Sequence, residues 1–213
     1  HPDAKISWNS EDYALTQHVL LIVQASEAGD RSLGGLLEDA ILAAYDLLDA
    51  YHGERGWDPL VFHRSAIEPH VQDELREPLD AVIDGLREYG MKAMTVRPDL
   101  PDQWWSLGRA LMRRLALHLV ASDPARSADD KLSWLLDRTG LYADNLKHET
   151  YQVLATAVAT ASPSLKERVL EAAAAGPHYP SEEIPDRDGH SAYAKFNLLA
   201  WLTLADSNWG EAQ

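Results

Sequence analysis

The feature that most constrains this chain is a helix–turn–helix pattern that recurs through its second half. Pro101 to Gly140 reads as a long amphipathic helix, a polar stop at Asp123-Pro124 and a shorter helix opened by Ser127. Proline disfavours helical geometry in the residue before it, which is why Asp123 ends the first helix. Ser127 with Asp130 three positions on can cap the second as a reciprocal box. Long helices are expected to start near residues 102, 146 and 190, a period of roughly 44 residues. Their polar breaks fall at Asp123, Ser162 and Asp206, and Ser164 with Glu167 supplies a second capping box. One helix pair cannot bury its own apolar face, so the pattern predicts an all-α stack of antiparallel helix pairs. The alternative is an irregular all-α domain in which the three spacings coincide by chance.

The first hundred residues are also helical in pattern. Asn9 or Ser10 can cap a helix carrying Tyr13, Leu15, Val19, Leu20 and Val23 on its apolar side, with Gly29 breaking it. Leu33, Leu36, Leu37, Ala40, Ile41, Ala44, Leu47, Leu48 and Tyr51 then follow the 3, 4, 3, 4 spacing of one buried stripe, ended by Gly53. Gly34-Gly35 lies in that helix, where close packing accounts for it. Residues 53 to 69 read as an ordered loop packed on the core, with Trp57, Leu60, Val61, Phe62 and Ile67. A helix over about Gln72 to Tyr89 buries Leu75, Leu79, Val82, Ile83 and Leu86; Pro78 either kinks it or marks its start at N1, and Gly90 caps its end. The passage 90 to 101 is the most linker-like. Two portions are therefore expected, residues 1–100 and 101–213.

Composition limits the partners. Thirty-four acidic residues against 19 basic ones give a formal charge of −15. Such a chain repels phosphate backbones, whose binding depends on Lys and Arg displacing counterions. Nucleic acid and anionic membranes are poor partners, and a basic protein or a basic neighbouring domain is the favoured one. No apolar run has the length of a transmembrane helix, and no basic and apolar leader opens the chain. The absence of cysteine excludes disulfides and thiolate zinc sites and fits a cytoplasmic location. The chain begins His-Pro-Asp rather than Met, and its last pattern, Ser207 to Ala212, looks like the opening of another second helix. Both point to a fragment of a larger protein.

Few residues of the sequence stand in spacings that carry chemistry. None of the nine histidines stands four residues from another, and none follows a glutamate by three, so the helical metal-binding spacings are missing. No His-Asp dipeptide, phosphate-binding glycine loop or GxSxG elbow occurs. Asp129-Asp130 suits the positive end of a helix dipole. Asp144 with His148, and Asp186 with His190, have i, i+4 spacing, and the acidic loop 177–189 reads as a solvated segment. The cluster His63, Glu68 and His70 is the one place where a metal-dependent hydrolase or lyase pocket is imaginable. His118 reads as a buried, hydrogen-bonded histidine. No catalytic residue, metal or cofactor is assigned. Trp104 and Trp105 are adjacent and cannot share one helix face, so one belongs to the core and the other is a contact candidate. Trp105, with Arg109, Arg113 and Arg114 on the same stretch, forms the candidate binding set.

Two resemblances bear on identity. Arg114-Leu115-Ala116-Leu117, within the recurring pairs of residues 101 to 210, resembles the arginine–leucine–alanine pattern of HEAT-type repeats, which implies an α-solenoid. The phrase Arg64-Ser65-Ala66-Ile67-Glu68-Pro69-His70 resembles helical regions of large bacterial multidomain proteins of the antiphage-defence type. There such regions follow sirtuin-like or nucleotide-binding effector domains. The resemblance implies a scaffold or sensor segment whose effector chemistry lies elsewhere.

Overall fold

The computed structural model describes residues 12–52, 58–70, 73, 77–138, 141–177 and 186–205. The expected features at Asn9 or Ser10, Gly53, Trp57, Gln72, Leu75, Gly140, most of 177–189, and Ser207 to Ala212 lie outside these residues. So do the side chains of Tyr13, Leu15, Tyr51 and Asp144. The described residues form nine α-helices and short 3-10 turns, without a strand among them. The chain resolves into two compact units, residues 1–119 and 120–213. The passage from 90 to 101 is no linker in the fold, because Gly90, Ala93, Met94, Leu100 and Pro101 are buried and the helices after it belong to the first unit.

In the first unit α1 (Asp12–Ala25) and α2 (Arg31–His52) both pack on α3 (Pro78–Ala93). Gly29, at φ +75°, turns the chain between α1 and α2. Lys92, in the last turn of α3, donates from Nζ to the carbonyls of Val23, Gln24 and Ser26, satisfying the open end of α1. Pro78 is the N1 residue of α3, whose start is fixed by the Glu77 N–H donating to Asp80 Oδ2 at 3.0 Å. The helix runs straight through Gly90 to Ala93, so Gly90 is not a cap. A Cβ there would lie 2.6 Å from Trp104 Cη2, and close packing is its reason.

On α2 the buried apolar side chains are those of Leu37, Ile41, Ala44, Tyr45 and Leu48. Leu36 and Leu47, expected in the same stripe, are 69% and 59% exposed. The α2 stripe is narrower than its apolar pattern because the helices against it cover one flank only.

The long helix expected from residue 102 is two helices, α4 (Leu100–Ser106) and α5 (Ala110–Ser122). Gly108, at φ +75°, separates them, and the neighbouring Leu107 is exposed. Trp104 is fully buried, and its indole N–H donates to Glu38 Oε1 at 2.8 Å. In α5, Leu111, Met112 and Arg114 through Leu119 are all buried, His118 among them. This helix is enclosed rather than striped.

Residues Asp58 to His70 form a loop held within the first unit by arginines. It contains one 3-10 turn, Leu60–Phe62. Arg114 of α5 donates to the carbonyls of Val61, Arg64 (2.8 Å) and Ser65 (3.1 Å). Arg87 of α3 donates to the Ile67 carbonyl at 3.1 Å and to Asp84 Oδ1 at 2.8 Å. Arg64 reaches Asp84 Oδ2 at 2.5 Å and the Asp80 carbonyl at 3.2 Å. Burial pushes the Asp84 carboxyl above its ordinary value, against the opposing pull of Arg87 and Arg64. A loop without its own ladder must find partners for its buried carbonyls, and here charged side chains supply them.

The second unit comprises α6 (Ala128–Arg138), α7 (Lys147–Ala157), α8 (Pro163–Ala175) and α9 (Arg187–Ala205). α6 packs on α7 and α8, and α8 packs on α9. The Ser127–Asp130 box forms as expected, with the Asp130 N–H donating to Ser127 Oγ at 3.1 Å and the Ser127 N–H to Asp130 Oδ2 at 3.3 Å. The Ser164–Glu167 box does not start α8: that helix begins one residue earlier, at Pro163, with Ser162 as N-cap. Asp129 Oδ1 accepts the Ser162 N–H at 2.7 Å, and this bond holds the carboxyl of Asp129 below the ordinary range.

Candidate interaction surface

The second unit carries the most distinctive surface. α9 buries Leu198 and Leu202 completely. Its opposite side shows Tyr193 and Phe196, each 69% exposed, and Leu204, 86% exposed. With Ala200 these follow spacings of three and four residues, one face of a helix. Single exposed apolar residues are ordinary, whereas a row of large ones along one helix marks a place where something else binds.

The row leads into a pocket of about 150 Å³, open to solvent, between the start of α7, the turn before it and the start of α9. Tyr142, Tyr151 and Tyr193 line it with Pro177, Lys147 and Asn197. Its walls are braced. The Tyr142 hydroxyl donates to the Ala173 carbonyl of α8 at 2.5 Å, and Tyr151 packs edge-on against Trp201, ring centroids 4.9 Å apart. Burial raises the Tyr142 phenol to about 12 and moves Tyr151 in the same direction, so both stay neutral at physiological pH. Among the described residues the charged one in the lining is Lys147, whose Nζ stands 5.7 Å from the Tyr151 ring centroid. It has no carboxylate partner among the described residues.

The residues singled out from sequence lie in the first unit, and the structure separates them by role. Trp105 is half-buried and stacks under Arg113, whose guanidinium carbon is 5.0 Å from the ring centroid. Arg109, one turn earlier, lies 4.9 Å over the Tyr45 ring and pairs with Asp49 at 2.5 Å. Arg114 is 4% exposed and points inward, bonded to the loop carbonyls. Trp105 and Arg113 are thus brought together at the surface, and Arg114 is placed in the interior. Of the two adjacent tryptophans, Trp104 is the core one.

The cluster of His63, Glu68 and His70 is not drawn into a metal-binding group, and among the described residues no three His, Asp or Glu side chains are placed to hold a metal ion. His63 Nδ1 is 3.1 Å from Asp80 Oδ1, at the start of α3. A second, polar groove lies beside α2 and α4, but its groups are engaged with one another. Arg97 bonds the Tyr89 hydroxyl at 2.9 Å and Gln103 at 2.6 Å, and Gln103 bonds Asp99 at 2.5 Å.

The tyrosine pocket carries no motif, since its residues come from segments up to about fifty positions apart. One signal was present: Tyr151 and Tyr193 each fall within the first turns of successive helices in the recurring pattern. Among the described residues no helix is long and apolar enough to cross a membrane. No known protein family, curated protein or solved structure matches the chain.

Proposed function

We propose that this chain is a non-catalytic interaction segment, a scaffold or sensor, whose contact surface is the exposed face of α9 and the pocket beside it. The observation that carries this reading is the row Tyr193, Phe196 and Leu204, too exposed and too regular for a face meant only for water. The charge of −15 makes the favoured partner basic, a separate protein or a neighbouring domain. A HEAT-like architecture of the second unit belongs to the same proposal. It is supported by the packing of α6 on α8, and by the contact of Tyr151 in α7 with Trp201 in α9. Helices at equivalent positions of successive pairs touch in a stacked array, which presents extended binding surfaces. The likeness of Arg64 to His70 to helical regions of bacterial antiphage-defence proteins supports placing the segment in a larger prokaryotic protein of that kind.

The test is a panel of basic amphipathic helical peptides, titrated by fluorescence anisotropy against the full chain and its Phe196→Ser/Leu204→Ser double variant. Both positions are exposed, so circular dichroism and melting temperature should not change. The expected result is binding that weakens at least about tenfold in the variant and falls with added salt. Equal binding to both proteins, or none to either, would count against the reading.

A further inference from the structure

The pocket at the end of the α9 row has a chemistry of its own. Its volume of about 150 Å³ suits one benzene-sized apolar body and little more. Its walls offer aromatic rings held in place from behind, Tyr142 by α8 and Tyr151 by Trp201, so a ligand meets surfaces already ordered. Among the described residues its one charge is positive. Lys147 is exposed and stays without a carboxylate partner among the described residues, in a chain that has 34 acidic side chains to offer. Among the described residues no carboxylate lines the pocket, and the half-buried phenols stay protonated, so no anionic side chain there competes for Lys147. The complementary ligand is an apolar side chain next to one negative charge.

We infer that the pocket takes the C-terminal residue of a partner chain. An aromatic or branched aliphatic side chain enters between Tyr142, Tyr151 and Tyr193, and the terminal carboxylate pairs with Lys147, with Asn197 as a second donor. A chain terminus is favoured over a free acid because the pocket opens onto the exposed row: Tyr193 belongs to both, and Phe196 continues outward from it. That row gives the residues preceding the terminus a surface to lie on. The inference rests on the interaction reading of the α9 face and specifies what its end recognises.

The experiment uses the full chain and a fluorescein-labelled hexapeptide, Gly-Ser-Gly-Ser-Ala-Phe, with either a free C-terminal carboxylate or a C-terminal amide. Versions ending in Leu and Trp are run beside it. The free acid should bind about tenfold tighter than the amide, as a charge-assisted bond in a partly desolvated site implies. Lys147→Met should abolish that preference and Lys147→Arg should restore most of it. The Phe196→Ser/Leu204→Ser variant should weaken acid and amide alike and leave their ratio unchanged. Equal affinity of acid and amide, a preference that survives in Lys147→Met, or no binding of any of the three peptides at millimolar concentration would overturn the inference. 3-Phenylpropionate matching the peptide's affinity would overturn the partner-chain assignment in favour of a small-acid site. Loss of the acid preference while basic peptides still depend on Phe196 and Leu204 would sink the pocket alone. Loss of that dependence would sink the broader interaction reading.

Discussion

Gly34 and Gly35 are adjacent in α2, yet adding one methyl to each should move stability in opposite directions. A Cβ on Gly35 would meet nothing within 4 Å. Gly35→Ala therefore gains the helix propensity of alanine over glycine, about 1 kcal/mol. A Cβ on Gly34 would stand 2.3 Å from Tyr89 Cζ, 2.4 Å from its hydroxyl and 2.6 Å from Cε1. Tyr89 is 1% exposed and its hydroxyl accepts a bond from Arg97 at 2.9 Å, so it has little room to retreat. Overpacking of this kind costs about 1–3 kcal/mol, and a displaced Tyr89 forfeits a hydrogen bond worth about 1 kcal/mol more. After the propensity gain, Gly34→Ala should destabilise by about 1–3 kcal/mol. The two variants should then differ by about 2–4 kcal/mol. Hydrogen exchange of the amides of Ile41 and Leu86, one on each helix of the contact, reports the opening of this unit whatever the other does. Their protection should differ between variants by about thirty- to a thousandfold. In a Tyr89→Ala background the penalty at Gly34 should vanish and Gly34→Ala should become neutral or stabilising. Equal protection in the two single variants, or no dependence on Tyr89, would refute the close approach of α2 and α3.

Two further outcomes follow from the polar interior. Arg114→Met should destabilise the first unit by about 3 kcal/mol or more and raise proteolysis between Val61 and Ser65, because three carbonyls lose one donor together; an unchanged cleavage pattern would contradict this. Asp129, whose carboxyl is held below the ordinary range by the Ser162 N–H, contributes stability that is complete above the unfolded-state value, about pH 4, and is lost as the pH falls below it through the folded value. The advantage of the native chain over Asp129→Asn in urea unfolding should accordingly be present at neutral pH and shrink in stronger acid. A gap that widened on acidification would reverse the assignment.

What was legible in the sequence was mainly what is decided locally. Pro78 at N1, the Ser127–Asp130 box and the stop at Asp123-Pro124 depend on residues within one turn of each other, and all are in the structure. Periodicity conveyed the helices but not the width of what covers them: Leu36 and Leu47 continue the α2 pattern and still face water. It also hid the break at Gly108, because Trp104 and Leu111 stand seven residues apart, two turns of one continuous helix, although they belong to two. Gly90 looked like a cap because a helix end and a tight helix contact demand the same residue. Arg114 looked like a surface cation because its partners are carbonyls, which leave no mark in a sequence of side chains. The pocket was least legible, since Tyr142, Lys147 and Tyr193 meet only through the packing of the helices that carry them.

The arginine-tied loop has a consequence for how the chain comes into being. Its carbonyls at Val61, Arg64 and Ser65 wait for a donor at position 114, and that of Ile67 for one at position 87. A ribosome adds roughly 5–20 residues each second, so the loop emerges seconds before the groups that fasten it. Until then water must serve those carbonyls; α3 emerges first, bringing Arg87 to the Ile67 carbonyl and a surface for α1 and α2. The loop is therefore fastened in two stages, at Ile67 once α3 is out and at Val61, Arg64 and Ser65 when α5 follows. Chains halted before Arg114 should remain open to proteases at the same loop that is sealed in the finished protein.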